Sequence, residues 1–141
     1  MSHLLVADAA AASLIAAGEV DVILIPAERV AANGDVAAAI GTYPLAVVAA
    51  RQGIPVIACV AASVLDPATA DGAGITTGYL DAEELDRFEK VQLAPPGTET
   101  RIPTHDVTPA ELITTWLTAE GSRTPPFAPP SDASRQPGDP V

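Results

Sequence analysis

The chain has 141 residues, enough for one domain, and 48% of them are apolar, mostly Ala and Val, so slim and closely packed elements are expected. A net charge of -11 repels nucleic acid and anionic membranes, so neither is expected as a partner. A single cysteine excludes an internal disulfide and a multi-cysteine metal cluster. No run approaches the ~20 apolar residues of a membrane span, and the N-terminus lacks a signal peptide's basic region, so a soluble cytoplasmic protein is expected.

Residues 4–6 read as a short strand. Asp8 is placed to cap a helix over 9–17, because a carboxylate accepts from the free N–H groups of a first turn, and Gly18 suits the left-handed residue that ends it. Residues 22–25 are a continuous β-branched and Leu run, the mark of a parallel strand covered on both faces, and 26–35 is the loop leaving it. The Ala-rich stretch 36–52 predicts a helix with a break near 41–44, where Pro44 removes a hydrogen bond and Thr42 caps a second piece. Residues 55–60 form the next strand, 61–80 a loop, 81–88 a short acidic helix with a solvated face, 91–93 a short strand and 94–101 a turn region.

Thr108-Pro109-Ala110-Glu111 combines a capping-box Thr, Pro at the first helical position and Glu three residues after the cap. It predicts a helix running to about Glu120 and stopped by Gly121. Residues 122–141 hold six of the fourteen prolines without apolar periodicity and read as a disordered tail.

Strands alternating with helices argue for an α/β fold, a Rossmann-like and mostly parallel β-sheet flanked by helices, in a single small domain over residues 1–121. Ligands of such sheets sit beyond the carboxyl ends of the strands, which makes 26–35 the natural site. Glu28 there has the position of an acid/base and Arg29 that of an anion clamp. Asn33-Gly34-Asp35 opens the next helix, where free N–H groups hold an anion. From spacing alone, the plainer reading of the same residues is a structural ion pair and a capping turn. Cys59, mid-strand, reads as a buried inert thiol. His105 reads as a surface partner of Asp106, and Trp116 as the core residue of the last helix. No metal-ligand spacing, P-loop or nucleophile elbow is present, so no metal and no cofactor are expected.

The segment Glu28-Arg-Val-Ala-Ala-Asn-Gly-Asp-Val-Ala-Ala-Ala-Ile-Gly-Thr-Tyr43 closely resembles the signature Gly-Ala-Asp-Arg-Val-Ala-Ala-Asn-Gly-Asp-Val-Ala-Asn-Lys-Ile-Gly-Thr of the methylthioribose-1-phosphate isomerase and initiation factor 2B alpha-beta-delta family. Asp106-Val-Thr-Pro-Ala-Glu-Leu-Ile-Thr114 resembles that family's C-terminal Asp-Val-Thr-Pro motif, and Asp8 falls where the family has a strand-end Asp. The resemblance covers about residues 4–121 and implies only the family's C-terminal, Rossmann-like half.

It further implies that Glu28 stands where the isomerases carry a catalytic Asp, one methylene longer, and misplacing a catalytic group by ~1 Å can cost on the order of 100-fold. Pro26 replaces a Gly, Ala38 and Ala39 replace the phosphate-binding Asn-Lys, and Ile102 and His105 replace an Asn and a Phe. The family's catalytic Cys belongs to the half preceding Leu4, and Cys59 does not stand in for it.

Three functions fit the resemblance. In the leading one the chain is a truncated, non-catalytic binding or assembly module, with Asp8, Arg29, Asn33, Gly34, Asp35 and Asp106 framing the ligand site and a homodimer or a separate protein chain as partner. In the second it is a subunit of a methionine-salvage aldose-1-phosphate isomerase, completed by a separate N-terminal chain, with Glu28 moving a proton between sugar C1 and C2. In the third it is a small-metabolite sensor. Candidate ligands are a sugar phosphate or a nucleoside-like small molecule; the roomier, less basic pocket beside Ala38 and Ala39 favours a neutral one.

Overall fold

The computed structural model describes residues 3–81, 85 and 87–127. In chain order the strands are β1 (Ile23–Pro26), β2 (Arg29–Ala31), β3 (Val36–Ala39), β4 (Val56–Cys59), β5 (Leu65–Asp66), β6 (Arg87–Phe88), β7 (Val91–Gln92), β8 (His105–Thr108), β9 (Thr115–Thr118) and β10 (Gly121–Arg123), with helices α1 (Ala11–Ala16) and α2 (Thr42–Gln52). They build two four-stranded sheets and a separate β6-β7 hairpin. The first sheet has the order β1-β4-β9-β10, parallel through β1, β4 and β9 and closed by antiparallel β10. The second has the order β5-β2-β3-β8, with β3 antiparallel to both neighbours and β5 parallel to β2.

The α/β, Rossmann-like class holds. Its parallel pairing lies mainly in the first sheet, and the second sheet, absent from the sequence-based expectation, carries the strand-end residues of interest. Alanine explains how two sheets and a helix share one core. Ala38, Ala46, Ala49 and Ala58 are all fully buried, so α2 packs closely on the strands, while Ile25, Val30, Val36, Val56, Ile113 and Trp116 supply the bulk. Burying such side chains stabilises a fold by roughly 25 cal/mol per Å² of apolar surface removed from water.

Several expected elements take a different form. Residues 4–6 are not a strand: Leu4 and Leu5 are 80% and 94% exposed, and among the described residues β1 is paired only with β4. Burial alternates along β1, with Leu24 exposed between Ile23 and Ile25, so only one face is covered. Asp8 lies inside a 3-10 turn, Asp8–Ala10, preceded by Ala7 at the cap position, and its carboxylate makes no capping bond. The expected helix over 36–52 is a strand followed by a helix. Residues 36–39 are drawn into β3 by ladders to β2 and β8, which outweigh the helix propensity of the alanines. The break at 41–44 is where α2 begins, with left-handed Gly41 before it and Pro44 in its first turn.

The expected helix from Thr108 to Glu120 does not form. Its start signal yields one 3-10 turn, Ala110–Leu112, and the β-branched and aromatic run Ile113-Thr114-Thr115-Trp116 then enters β9. Trp116 is a core residue as expected, but on a strand. In the acidic segment 81–88, residues 82–84 and 86 lie outside the described residues, and Arg87–Phe88 pairs with Val91–Gln92. The packed region also runs past 121. Gly121–Arg123 is a strand, and Phe127 is buried, stacked on Trp116 with ring centroids 4.2 Å apart and planes 4° apart. Residues 128–141 of the expected tail lie outside the described residues.

Candidate functional site

The turn between β2 and β3 is the most tightly tied element near the strand ends. Gly34 takes φ +97°, the left-handed region that glycine enters without steric cost. A Cβ there would stand 2.9 Å from the Phe127 side chain. The Asp35 carboxylate accepts from Asn33 Nδ2 (2.9 Å), from Gly72 N–H (2.8 Å) and from Ala110 N–H (2.9 Å), joining three separate loops. Burial pushes its pKa up, but the bonds from Asn33, Ala110 and Gly72 outweigh it and hold the carboxyl below its usual range.

Asn33-Gly34-Asp35 therefore opens no helix. Its backbone donors are also occupied: Asn33 N–H on Ala70 O, Gly34 N–H on Ala31 O, and Asp35 N–H on Asn33 Oδ1. The anion-holding role expected of these residues has no free N–H group in this arrangement.

Asp106 has a comparable role at the start of α2. Its two carboxylate oxygens accept from Gly41 N–H (2.8 Å) and Tyr43 N–H (3.0 Å), so β8 caps a helix distant in sequence. A helix N-terminus is a ready anion site, and here an internal carboxylate occupies it.

Glu28 leaves the end of β1, its N–H donating to Ala37 O at 2.9 Å. Its Oε2 pairs with His105 Nε2 across the sheet, and His105 Nδ1 is hydrogen-bonded to Thr104 Oγ1 at 2.6 Å. His105 is thus a strand residue paired with Glu28, not the loop partner of Asp106. No local signal announces this pair, because only the β3-β8 register, which sets Ala39 opposite His105, brings the two together. Arg29 points to Asp66, with Nε 3.6 Å from Oδ2. Asp66 is held below the usual carboxylate range by the Thr69 hydroxyl, which outweighs desolvation, with smaller help from the Ala68 and Thr69 backbone and from Arg29.

Glu28, Arg29, Ala37, Thr76, Thr77 and His105 line a cavity of about 200 Å³. A larger one, about 590 Å³, lies between α1 and the start of α2, walled mainly by apolar groups including Val6, Ile40, Leu45 and Val48. Asp8 and Ala39 reach this second cavity, and Asp8 is its one charged lining residue among the described residues. Ala38 faces the core instead. Cys59, expected to be buried, is exposed at the end of β4. Among the described residues no three His, Cys, Asp or Glu side chains come close enough to hold a metal ion, and no helix is long and apolar enough to cross a membrane.

The sequence profile of the initiation factor 2 subunit family matches residues 2–125. The chain belongs to that family. A methylthioribose-1-phosphate isomerase of Synechococcus sp. is 43% identical over 122 residues, which are 86% of this chain and 36% of that protein. The Desulforudis audaxviator isomerase is 46% identical over 123 residues, 87% of this chain and 35% of its own. Among solved structures, the 5-methylthioribose 1-phosphate isomerase of Pyrococcus horikoshii superposes with a TM-score of 0.84 at 38% identity, covering 90% of this chain and 35% of the other. The delta subunit of translation initiation factor eIF-2B from A. fulgidus follows the same fold with a TM-score of 0.81 at 28% identity, covering 87% and 36%. The chain spans about a third of the length of the curated relatives it matches. Within the family, this chain has Glu28 and His105 as a hydrogen-bonded pair at the strand ends and spends Asp35 and Asp106 on joining loops and capping α2.

Proposed function

We propose that this chain is a binding or assembly module of its family and does not isomerise a sugar phosphate on its own. One observation carries the reading: where α2 would offer its N-terminus to a phosphate, Asp106 already holds the Gly41 and Tyr43 N–H groups, and the adjoining cavity is lined by Asp8 with no cation among the described residues. A phosphate dianion entering there meets a carboxylate instead of a clamp. Incubating the purified chain with methylthioribose 1-phosphate and following the product ketose by NMR tests it, and turnover by the chain alone would overturn it. For the assembly part, association is favoured by exposed Val22 just before β1, by exposed Leu24 on its uncovered face, and by the edge of β1 that no described strand covers. A related solved structure is a tetrameric eIF2B-beta2-delta2 complex from C. thermophilum, with a TM-score of 0.52 at 26% identity. Light scattering at high concentration should report a dimer or larger, and a monomer would remove this part.

A second reading is favoured by the Glu28 carboxylate itself, which stands at a strand end beside a cavity. Joined to the portion that the longer relatives carry beyond the matched third, in one chain or two, Glu28 would be the acid/base of an aldose-1-phosphate isomerase. Activity of such an assembly that survives Glu28→Gln would sink this reading.

A further inference from the structure

The Glu28–His105 pair is built across a gap. β2 and β8 flank β3 on opposite sides, so a residue at the start of β2 and one on β8 stand two strand spacings apart, ~10 Å between backbones. β3 between them carries only alanines over residues 37–39, with Ala39 paired with His105 and the Glu28 N–H bonded to Ala37 O, so no bulky side chain stands between the two. Length also matters, since a glutamate spans the gap with one more methylene than an aspartate has. The imidazole is fixed at both nitrogens, by Thr104 Oγ1 and by Glu28 Oε2, and the Thr104 hydroxyl is tied in turn to Gly78 O at 3.2 Å. Among the described residues no hydrogen bond engages the second carboxylate oxygen of Glu28, and Glu28 lines the 200 Å³ cavity together with the hydroxyl-bearing Thr76 and Thr77.

We infer that His105 is the positioning residue for Glu28, and that the pair presents a fixed carboxylate oxygen to the hydroxyl groups of a small, uncharged polyol. A carboxylate accepts strongly from hydroxyls and repels a phosphate, and Arg29, the nearby cation, is drawn toward Asp66. The cavity is below the usual size of a drug-sized site, which suits a compound of a few carbons more than a nucleoside. Holding the carboxylate in advance lowers the ordering cost of binding. The inference rests on the ligand-binding part of the proposed function.

The test uses the full chain labelled with 15N, in a His3→Gln background so that one imidazole remains. The His105 Nε2 proton should exchange with water at least tenfold more slowly than that of a free imidazole. Glu28→Gln, which keeps an acceptor oxygen at the same reach, should retain most of that protection. Glu28→Ala and Glu28→Asp should abolish it, the latter because the shorter arm no longer spans the gap, with thermal midpoints near the parent. Added ribose should then shift the His105 signals in the parent and not in Glu28→Ala. An unprotected Nε2 proton in the parent, or protection that survives Glu28→Ala or Glu28→Asp, overturns the positioning role. Protection without any ribose-induced shift keeps the pair and overturns the polyol site on which its purpose depends.

Discussion

Replacing Asp35 by Asn keeps the shape of the side chain and removes its charge. The amide oxygen can stay on the side that accepts from Gly72 N–H and Asn33 Nδ2, which turns the new amide N–H groups toward Ala110 N–H. Two bonds then change from charge-assisted to neutral, a loss of about 1 kcal/mol each, and one backbone donor faces another donor, about 1–3 kcal/mol more. Those contributions sum to about 3–5 kcal/mol, and because Asp35 is partly open to solvent the lower end, about 3 kcal/mol at pH 7, is expected. That is a large share of a typical stability of ~5–15 kcal/mol.

Urea titrations of both proteins at matched ionic strength measure it. The pH dependence gives a second, independent check. The folded pKa of Asp35 is lowered, so its contribution is complete above the unfolded value of ~3.9 and disappears as the pH falls through the folded value. The difference between the two proteins should therefore shrink toward acid. A difference below about 0.5 kcal/mol at pH 7, or one that grows on acidification, would refute the claim that this carboxylate joins the three loops.

Asp106→Ala should destabilise by about 1–2 kcal/mol, the usual cost of a lost helix cap, and amide hydrogen exchange should rise first at Gly41 and Tyr43. Phe127→Ala should cost about 2–4 kcal/mol and abolish the near-ultraviolet dichroism of Trp116, whereas an unstacked Phe127 would leave that signal untouched. Cys59 should react with Ellman's reagent in the native protein at the rate of an accessible thiol, and a need for denaturant would contradict its exposure at the end of β4.

The parts of the fold legible in the sequence were those written locally. The apolar run ending at Pro26, the strand at 55–60 and the glycines bounding α1 and α2 all declare themselves within a few residues. The failures share one cause. Residues 36–39 are three alanines and a valine, which nothing local marks as a strand, and only β2 and β8 on either side make them one. The capping box at Thr108 is a real start signal, but a helix needs several turns of favourable residues to repay its nucleation, and Ile113 to Trp116 are better suited to a strand. At the candidate site the tasks of the acidic residues are set by partners distant in sequence. Asp35 and Asp106 have the chemistry of ligand-holding groups, yet their partners at Gly72, Ala110, Gly41 and Tyr43 lie far along the chain. From sequence His105 reads as the partner of its neighbour Asp106, whereas its partner is Glu28, 77 residues away.

The order in which the chain visits its two sheets bears on how the protein is made. It enters the first sheet at β1, crosses to the second for β2 and β3, returns for β4, crosses again for β5, and comes back last with β9 after laying down β8. β9 is an interior strand, lying between β4 and β10, so the β4 side of the first sheet stays uncovered until residues near 115–123 have been synthesised. Assembly dominated by such distant pairings is slow, and a nascent chain halted before β9 would present one uncovered, apolar edge of β4 to its neighbours as a template. Ribosome-bound lengths ending before residue 115 should therefore depend on chaperones, and the chain should become protease-resistant only once its last strands clear the exit tunnel.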